Sequence, residues 1–487
     1  MSEQTRQDSP PTYDVIIVGA GLSGIGTAYW LQRKCPAKRY AILESREQLG
    51  GTWDLFRYPG VRSDSDMFTF GYRFRPWRQP QPLAAGAEIL DYLRETAAAY
   101  GIDKRIRYGH RVIGADWDST TAYWTLTVEK GDHSCQFRTR FLYMCSGYYS
   151  YTEAHRPTFA GEADFKGAIV HPQFWSDDTS YTDRRVVVVG SGATAVTLVP
   201  TLAERAAHVT MLQRSPTYIM TIPNRNAPYD RMRRVLPERW AYRINRWINL
   251  GGSMALYGIS QLFPNRIKRW IMNNAAKQLG PEVDVDVHFN PRYDPWDQRL
   301  CLVPDGDLFR SIRGGRAAVV TDRIDRFTSG GIRLESGREL PADLVVLATG
   351  LKIRLLGGAR VTVDGREIRT GDIMIYKGML AAGVPNFAIA FGYTNASWTL
   401  KTDLTANYVC RLLRHMDRKG YRVVTPTREA GVDPRPLLDF SAGYIRRAGD
   451  KMPVQGSRRP WRVYQNYLAD ALLTRYERID DGVLEFR

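Results

Sequence analysis

The chain has 487 residues, 44% of them hydrophobic and 24% charged, the balance of an ordinary globular protein long enough for two or three domains. No run reaches the roughly 18 apolar residues of a membrane-spanning helix. The polar first dozen residues predict no signal peptide, and five cysteines (Cys35, Cys135, Cys145, Cys301 and Cys410) without a C-x-x-C pair predict neither a disulfide framework nor a metal site, hence a cytoplasmic location. A formal charge of +17 keeps nucleic acid and anionic membrane surfaces in view.

The first predicted unit spans 13–44. Val15, Ile16, Ile17 and Val18 form a β-branched run, the pattern of a strand buried on both faces. Gly19, Gly21 and Gly24 follow at G-x-G-x-x-G spacing, 25–31 is predicted helical, and a second strand at 40–43 ends on Glu44. Such glycines permit a tight turn and close approach of backbone to a pyrophosphate, whose charge meets the helix N-terminus. The carboxylate accepts hydrogen bonds from ribose hydroxyls and repels a 2′-phosphate, which suits FAD or NAD. Residues 111–113 are predicted to be a strand in which Val112 offers its backbone to the adenine. A strand at 141–144 is predicted to end in the turn Cys145-Ser146-Gly147.

A second unit begins at Arg185. The strand 186–189 leads into Gly190, Gly192 and Ala195 at G-x-G-x-x-A spacing, and the strand 209–212 runs into Gln213-Arg214 where the first unit carries an acid. Arginine there pairs with a 2′-phosphate through charge-assisted hydrogen bonds worth about 1.5–3 kcal/mol, which predicts NADPH. Two different fingerprints imply two different dinucleotides, most economically a flavoprotein reduced by NADPH. Leu344–Leu347 with Ala348-Thr349-Gly350 is predicted to be a further strand and turn. The expected fold class is α/β, two Rossmann-like dinucleotide-binding domains (FAD and NADP) with a helical insert. The expected boundaries are 1–150 and 351–487 for FAD, 151–220 and 301–350 for NADP, and 221–300 for the insert.

Between the two glycine motifs, Phe165, Gly167, His171 and Trp175 fit the pattern F-x-G-x-x-x-H-x-x-x-W. With it the chain resembles the class B flavin monooxygenases, and the terminal tryptophan resembles their Baeyer–Villiger branch. The runs 50–54, 57–66, 290–304 and 392–398 are similar to those of mycobacterial and other bacterial members. Ser176 departs from the branch, where Pro or Asp often follows the tryptophan.

The resemblance implies an NADPH- and O2-dependent enzyme that oxidises a small apolar ketone to an ester or lactone through an anionic flavin peroxide, with sulfoxidation of a thioether as a side activity. It makes Arg299 the fixed positive charge beside the flavin, with Asp64 orienting it. It assigns flavin contacts to Ser23, Glu44, Thr52, Trp53, Asp54, Leu55 and Asp64, and the nicotinamide side to Arg62, Ser63 and Asp64. At the second turn Ser191, Ala193 and Thr194 join the glycines, and Ser215 joins Arg214. His171 becomes a hinge between the units. Gln298 replaces a lysine that often assists with the 2′-phosphate, so a smaller NADPH margin is expected. Trp398 and the region around Tyr58 are expected in the pocket walls.

Residues 232–277 are predicted to be a helical insert rich in Arg and Trp. Basic residues interleaved with Trp240, Trp247 and Trp270 suit an interfacial helix on an anionic membrane. They also suit a lid whose tryptophans bury beneath it, the preferred reading. No heptad or exposed apolar stripe is evident, and no motif supports nucleic-acid binding. Three rivals remain: heteroatom (S- or N-) oxygenation by the same machinery, a flavin disulfide reductase, which needs two cysteines facing the flavin, and a nucleotide-binding protein without turnover.

Overall fold

The computed structural model describes residues 10–298, 300–437 and 443–487, so the expected arginine at 299 lies outside the described residues. The first β-branched run forms β1 (Thr12–Val18), followed by α1 (Leu22–Lys34) and β2 (Tyr40–Leu43). β3 (Ile106–Arg107), β4 (Arg111–Asp118), β5 (Tyr123–Lys130) and β6 (His133–Met144) come next. Along β1, Val15 and Ile17 face one apolar cluster with α1, whereas Ile16 and Val18 face another. Burial on both faces is why the run is uniformly β-branched instead of alternating.

The second unit contributes β7 (Ala168–Val170), β8 (Arg185–Val189), α2 (Ala193–Leu202) and β9 (His208–Gln213). Helices α3 (Ala227–Val235), α4 (Glu238–Leu262) and α5 (Pro264–Leu279) then intervene before β10 (Ala317–Thr321) and β11 (Leu344–Leu347) return to the same sheet. Its five strands are parallel, in the order β10-β9-β8-β11-β7. Val186 and Val188 pack under α2 on one face. Val187 packs on Phe327, Ile332 and Leu340 of a three-stranded antiparallel sheet on the other.

The chain then re-enters the first sheet through β12 (Arg360–Val363), β13 (Arg366–Glu367), β14 (Ile375–Tyr376), β15 (Leu380–Ala381) and β16 (Phe387–Ile389). That sheet has eleven strands, with β13-β12-β4-β5-β6-β1-β2-β3 in order and β14-β15-β16 joining at β6. The long β6 serves both parts, pairing antiparallel with β5 over most of its length and parallel with β1 and β16 at its end. Helix α6 (Trp398–Lys419) packs on α1, and α7 (Tyr467–Tyr476) packs on α6.

Two sequence expectations need correction. The insert's tryptophans are not buried beneath a lid: Trp240, Trp247 and Trp270 are about half exposed. It is Arg246 that points inward, where it donates to the carbonyls of Phe68 (2.7 Å) and Gly71 (2.8 Å). An exposed apolar stripe does exist, along α4. In the core, Cys35 at the end of α1 lies 3.6 Å from the Cys410 carbonyl of α6, and both thiols are free.

Close packing at the first turn leaves no freedom at Gly24, where a Cβ would sit 1.9 Å from the Gly19 carbonyl oxygen. At Gly192 of the second turn a Cβ would meet nothing within 4 Å. Gly24→Ala is therefore expected to lower stability by about 2–3 kcal/mol or more. Gly192→Ala should stay within about 0.5 kcal/mol of the parent. Chemical denaturation of the two variants side by side checks the contrast.

Candidate functional site

The parallel register brings three strand ends flush. Val18 pairs with Leu43 on one side and with Met144 on the other, so Gly19, Glu44 and Cys145 leave the sheet together. Gly19 adopts φ +103°, and a Cβ there would lie 2.6 Å from the Cys145 carbonyl oxygen. The chain then turns so that the Ala20 amide donates to Glu44 Oε2 (2.7 Å), while the Arg46 amide donates to Oε1 (2.9 Å). Burial pushes the Glu44 carboxyl up from its ordinary value, and the two amide donors oppose that shift. Helix α1 starts at this turn with no side-chain cap and no acid in its first turn, so its leading amides point outward unclaimed by a side chain.

These strand ends open on a cavity of about 530 Å³. Gly19, Gly21, Ser23, Glu44, Thr52, Trp53, Ser63, Asp64 and Val112 all line it. Gly24 is packed beneath the turn. Asp54, Leu55 and Arg62 do not line the cavity; Asp54 is held by Arg46 (2.6 Å), and Arg62 pairs with Asp307 (2.5 Å). Asp66 caps the helix Met67–Phe70 by accepting the Thr69 amide. Of the charged side chains in 62–66, Asp64 is thus the one the fold turns toward the cavity. Tyr58 is not in the wall as expected but is buried against the second unit.

Trp398, at the start of α6, closes the cavity from another side. Its indole donates to Ser23 Oγ (2.9 Å) and its ring stacks on Tyr148 (5.2 Å between centroids). Gly392 is required beside it, because a Cβ there would lie 2.2 Å from the indole. Cys145 is the one cysteine in the lining, its thiol pushed up to about 12 by burial. A dithiol facing the cavity, which a disulfide reductase needs, is not formed.

The second turn repeats the geometry. Leu347, Val189 and Leu212 are in register, so Gly190, Gln213 and Ala348 leave their sheet together. Gly190 has φ +142°, and a Cβ would lie 2.4 Å from the Ala348 carbonyl oxygen. Ser191 Oγ donates to the Ser215 carbonyl (2.9 Å), tying the turn to the next strand end. Helix α2, beginning with Ala193, Thr194 and the buried Ala195, also lacks a side-chain cap and a first-turn acid. Gln213 is tethered inward to the His288 carbonyl (2.7 Å), leaving Arg214 exposed at the strand end.

A second cation stands there that sequence reading missed. Arg447, on the short helix Gly443–Ala448, places Nη2 3.2 Å from where a Cβ on Gly350 would be. Desolvation and the neighbouring Arg214 guanidinium hold the Arg447 guanidinium below its usual range. No spacing rule links Arg214 to a residue in the C-terminal region.

The linking motif crosses between the units. Phe165 packs on Phe327, and Gly167 lies so close to Asp343 that a Cβ would meet its carbonyl oxygen at 2.5 Å. His171 is buried; its Nδ1 accepts the Gln173 amide (3.1 Å), and desolvation lowers its pKa. The Gln173 side chain donates to the Ser150 carbonyl (2.8 Å), on the strand Tyr149–Ala154 that leaves the first sheet. Trp175 packs partly buried against Tyr181.

Glu44→Gln is expected to weaken retention of the dinucleotide in the first cavity about tenfold or more, the loss of one charged acceptor. In the empty protein a raised carboxyl pKa means that Glu44's contribution to stability is present below about pH 4.5 and is lost as pH rises through the folded value. Binding runs the other way, since ribose hydroxyls need the ionised acceptor. Retention should therefore fall as pH drops through that raised value, which ultrafiltration with absorbance of the filtrate measures.

Comparison with known proteins gives concordant results. The model described as "Flavin-binding monooxygenase-like" matches residues 79–417, and that of an NAD(P)-binding Rossmann-like domain matches 17–82. The chain is 53% identical to FAD-containing monooxygenase EthA of Mycobacterium tuberculosis over 475 residues, 97% of each chain. It is 46% identical to probable FAD-binding monooxygenase AlmA of Acinetobacter over 477 residues, 97% of this chain and 96% of that one. Among solved structures, a steroid monooxygenase bound to NADP aligns with a TM-score of 0.73 at 23% identity, covering 86% of this chain and 88% of that one. Cyclohexanone monooxygenase with bound ε-caprolactone aligns at 0.76 and 19%, covering 98% and 100%. At such identities these structures speak for the fold, while the sequence relatives speak for the family: the chain belongs to the flavin-binding monooxygenase-like family.

Proposed function

We propose that this flavoprotein is an NADPH- and O2-dependent Baeyer–Villiger monooxygenase acting on small apolar ketones, with sulfoxidation of thioethers at the same site. The observation that carries the reading is the place of Asp64: it lines the cavity beside Trp53 and Ser63, while its charged neighbours Arg62 and Asp66 pair with Asp307 and cap the helix Met67–Phe70.

The residues present fit both cofactors. FAD would lie in the first cavity, its ribose on Glu44 and its pyrophosphate at the Gly19–Gly21 turn and the uncapped start of α1. NADPH would lie at the second turn, its 2′-phosphate between Arg214 and Arg447. In this reading 1–150 serves FAD, 351–487 holds the rest of the FAD-binding part and the C-terminal region from which Arg447 reaches the second turn, 151–220 and 301–350 serve NADPH, and 221–300 forms the insert. Bound FAD, once reduced, supplies the activated oxygen.

The chain's own contribution is charge and shape. Arg299 follows Trp296, which has a strained φ of +79°, and precedes the buried Leu300. Bulky residues hold such a backbone where the surroundings over-determine it, often at functional sites. Arginine stays protonated at any working pH, so in this reading it offers a fixed positive charge to the oxygen that gains negative charge when a ketone carbonyl is attacked. Asp64 would orient that guanidinium. Trp398 and Tyr148 would wall the cavity with aromatic surface and exclude water.

Two experiments test the proposal. FAD-loaded protein with NADPH, ¹⁸O2 and a panel of ketones plus one thioether should yield ester or lactone carrying one labelled oxygen, and Arg299→Ala should lose it by about 100-fold or more. Sulfoxide alone, with every ketone untouched, would assign the site to heteroatom oxygenation. Separately, Arg214→Ala and Arg447→Ala should each raise the KM for NADPH about 10- to 100-fold while leaving that for NADH nearly unchanged. Steady-state kinetics with both nucleotides reads this directly.

A further inference from the structure

Helix α4 is apolar on its outward face as well as its inward one. A helix on the surface of a protein turns its apolar stripe inward and its polar residues to water. Here Trp240, Ile244, Trp247, Ile248, Ile259 and Leu262 point outward, and they are 40–73% exposed. Their spacing of three and four residues puts them on one face, which Gly251, Gly252 and Ala255, also exposed, complete. The inward face buries Ala241, Tyr242 and Leu250 together with Asn245, Arg246 and Ser260. Arg246 is satisfied there by the Phe68 and Gly71 carbonyls, so the helix is anchored by this hydrogen-bonded cation as well as by apolar packing.

The outward face does not end with α4. Tyr467 of α7 meets the Trp247 ring (6.2 Å), and Leu250 clusters with Tyr467 and Ala471, so α7 runs beside it. Leu468, Leu472 and Tyr476 on α7 are 47%, 60% and 75% exposed at steps of four. Helix α5, in contact with α4, adds Trp270 at 48%. So many exposed aliphatic and aromatic residues on adjoining helices are not the scatter of single exposed apolar residues found on any protein.

Charge tells what covers it. From 238 to 279 the chain has seven basic residues against one acid, Glu238. That acid is itself paired with Arg78 (3.1 Å). The guanidiniums of Arg239 and Arg243 flank the Trp240 ring (5.9 and 5.4 Å), and Arg266 flanks Phe263 (5.3 Å). We infer that the outward faces of α4 and α7 dock the protein on a bilayer rich in anionic lipid, with the tryptophans and aliphatic side chains entering the headgroup boundary and the arginines meeting phosphates. A second copy of the chain fits less well, because a two-fold contact would set this basic rim against itself with no acid to pair. Among the described residues no helix is long and apolar enough to cross a membrane, so the contact is peripheral.

The surface stands apart from the reaction, and its test needs no turnover. The purified full chain, loaded with FAD, is sedimented with vesicles of phosphatidylglycerol and phosphatidylcholine, and with phosphatidylcholine alone. Binding should be about tenfold or more stronger to the anionic vesicles and should weaken in high salt. The double variant Ile248→Glu with Leu262→Glu should lose it by a similar factor while keeping the parent's melting temperature and NADPH oxidation in solution. Arg239→Gln with Arg243→Gln should lose mainly the anionic preference. The inference is overturned if the parent ignores anionic vesicles, or if the glutamate variant binds as the parent does. It is equally overturned if light scattering shows a dimer that the glutamate variant splits while vesicles stay bare, which would assign the face to a second copy.

Discussion

The hydrogen bond from the Ala20 amide to the Glu44 carboxylate fixes more of this molecule than its size suggests. It forms because β1 and β2 end in register, and it holds the first glycine turn against the end of the neighbouring strand. A carboxylate taken out of water needs such donors, since burial alone raises its pKa and works against its charge. The same carboxylate lines the cavity. One buried acid therefore holds the turn and, in the proposed reading, receives the ribose, and Gly19 and Gly24 are glycines because nothing larger fits between that turn and the strand ends around it.

The two nucleotide turns are useful only in a fixed relation to each other, and a few contacts set that relation. Gly60 lies against α2 so closely that a Cβ would meet Thr201 Oγ1 at 2.2 Å. Tyr58 is buried in the second unit's core, and Arg62 reaches Asp307 at the start of another helix there. Behind them Gln173 binds Ser150, and Thr349 donates to the His155 carbonyl (2.6 Å). The segment that carries Asp64 is thus anchored at 58–62 to one unit and at 66–70 to the other, and Asp64, between the two anchors, lines the cavity.

The insert follows a different logic. Its buried arginine satisfies two backbone carbonyls of the 68–71 segment, next to Phe70 in the cavity wall. With the buried Ala241, Tyr242 and Leu250 it holds the helix to the body of the protein and leaves the outward apolar face for a partner outside. The helix that braces the 68–71 segment is thereby also the one that faces the proposed membrane.

Much was legible from the residues alone. A β-branched run, glycines at set intervals and an acid or arginine at the next strand end are local signals, because turn geometry and helix N-termini depend on neighbours within about thirty residues. The strands, both turns, Glu44 and Arg214 were readable for that reason, as was Trp398 through its family motif. Other features depended on chain segments far apart in sequence. Arg447 comes to Arg214 from the C-terminal region, Arg62 and Asp54 are taken up by ion pairs instead of cofactor positions, and Cys35 meets Cys410 across two packed helices. The orientation of α4 was hidden too. A pattern of period 3.6 shows that one face is apolar, but only packing decides which face meets the core. Here Ala241, Tyr242 and Leu250 pack inward beside a buried arginine with two carbonyl acceptors, and the tryptophans stay outside.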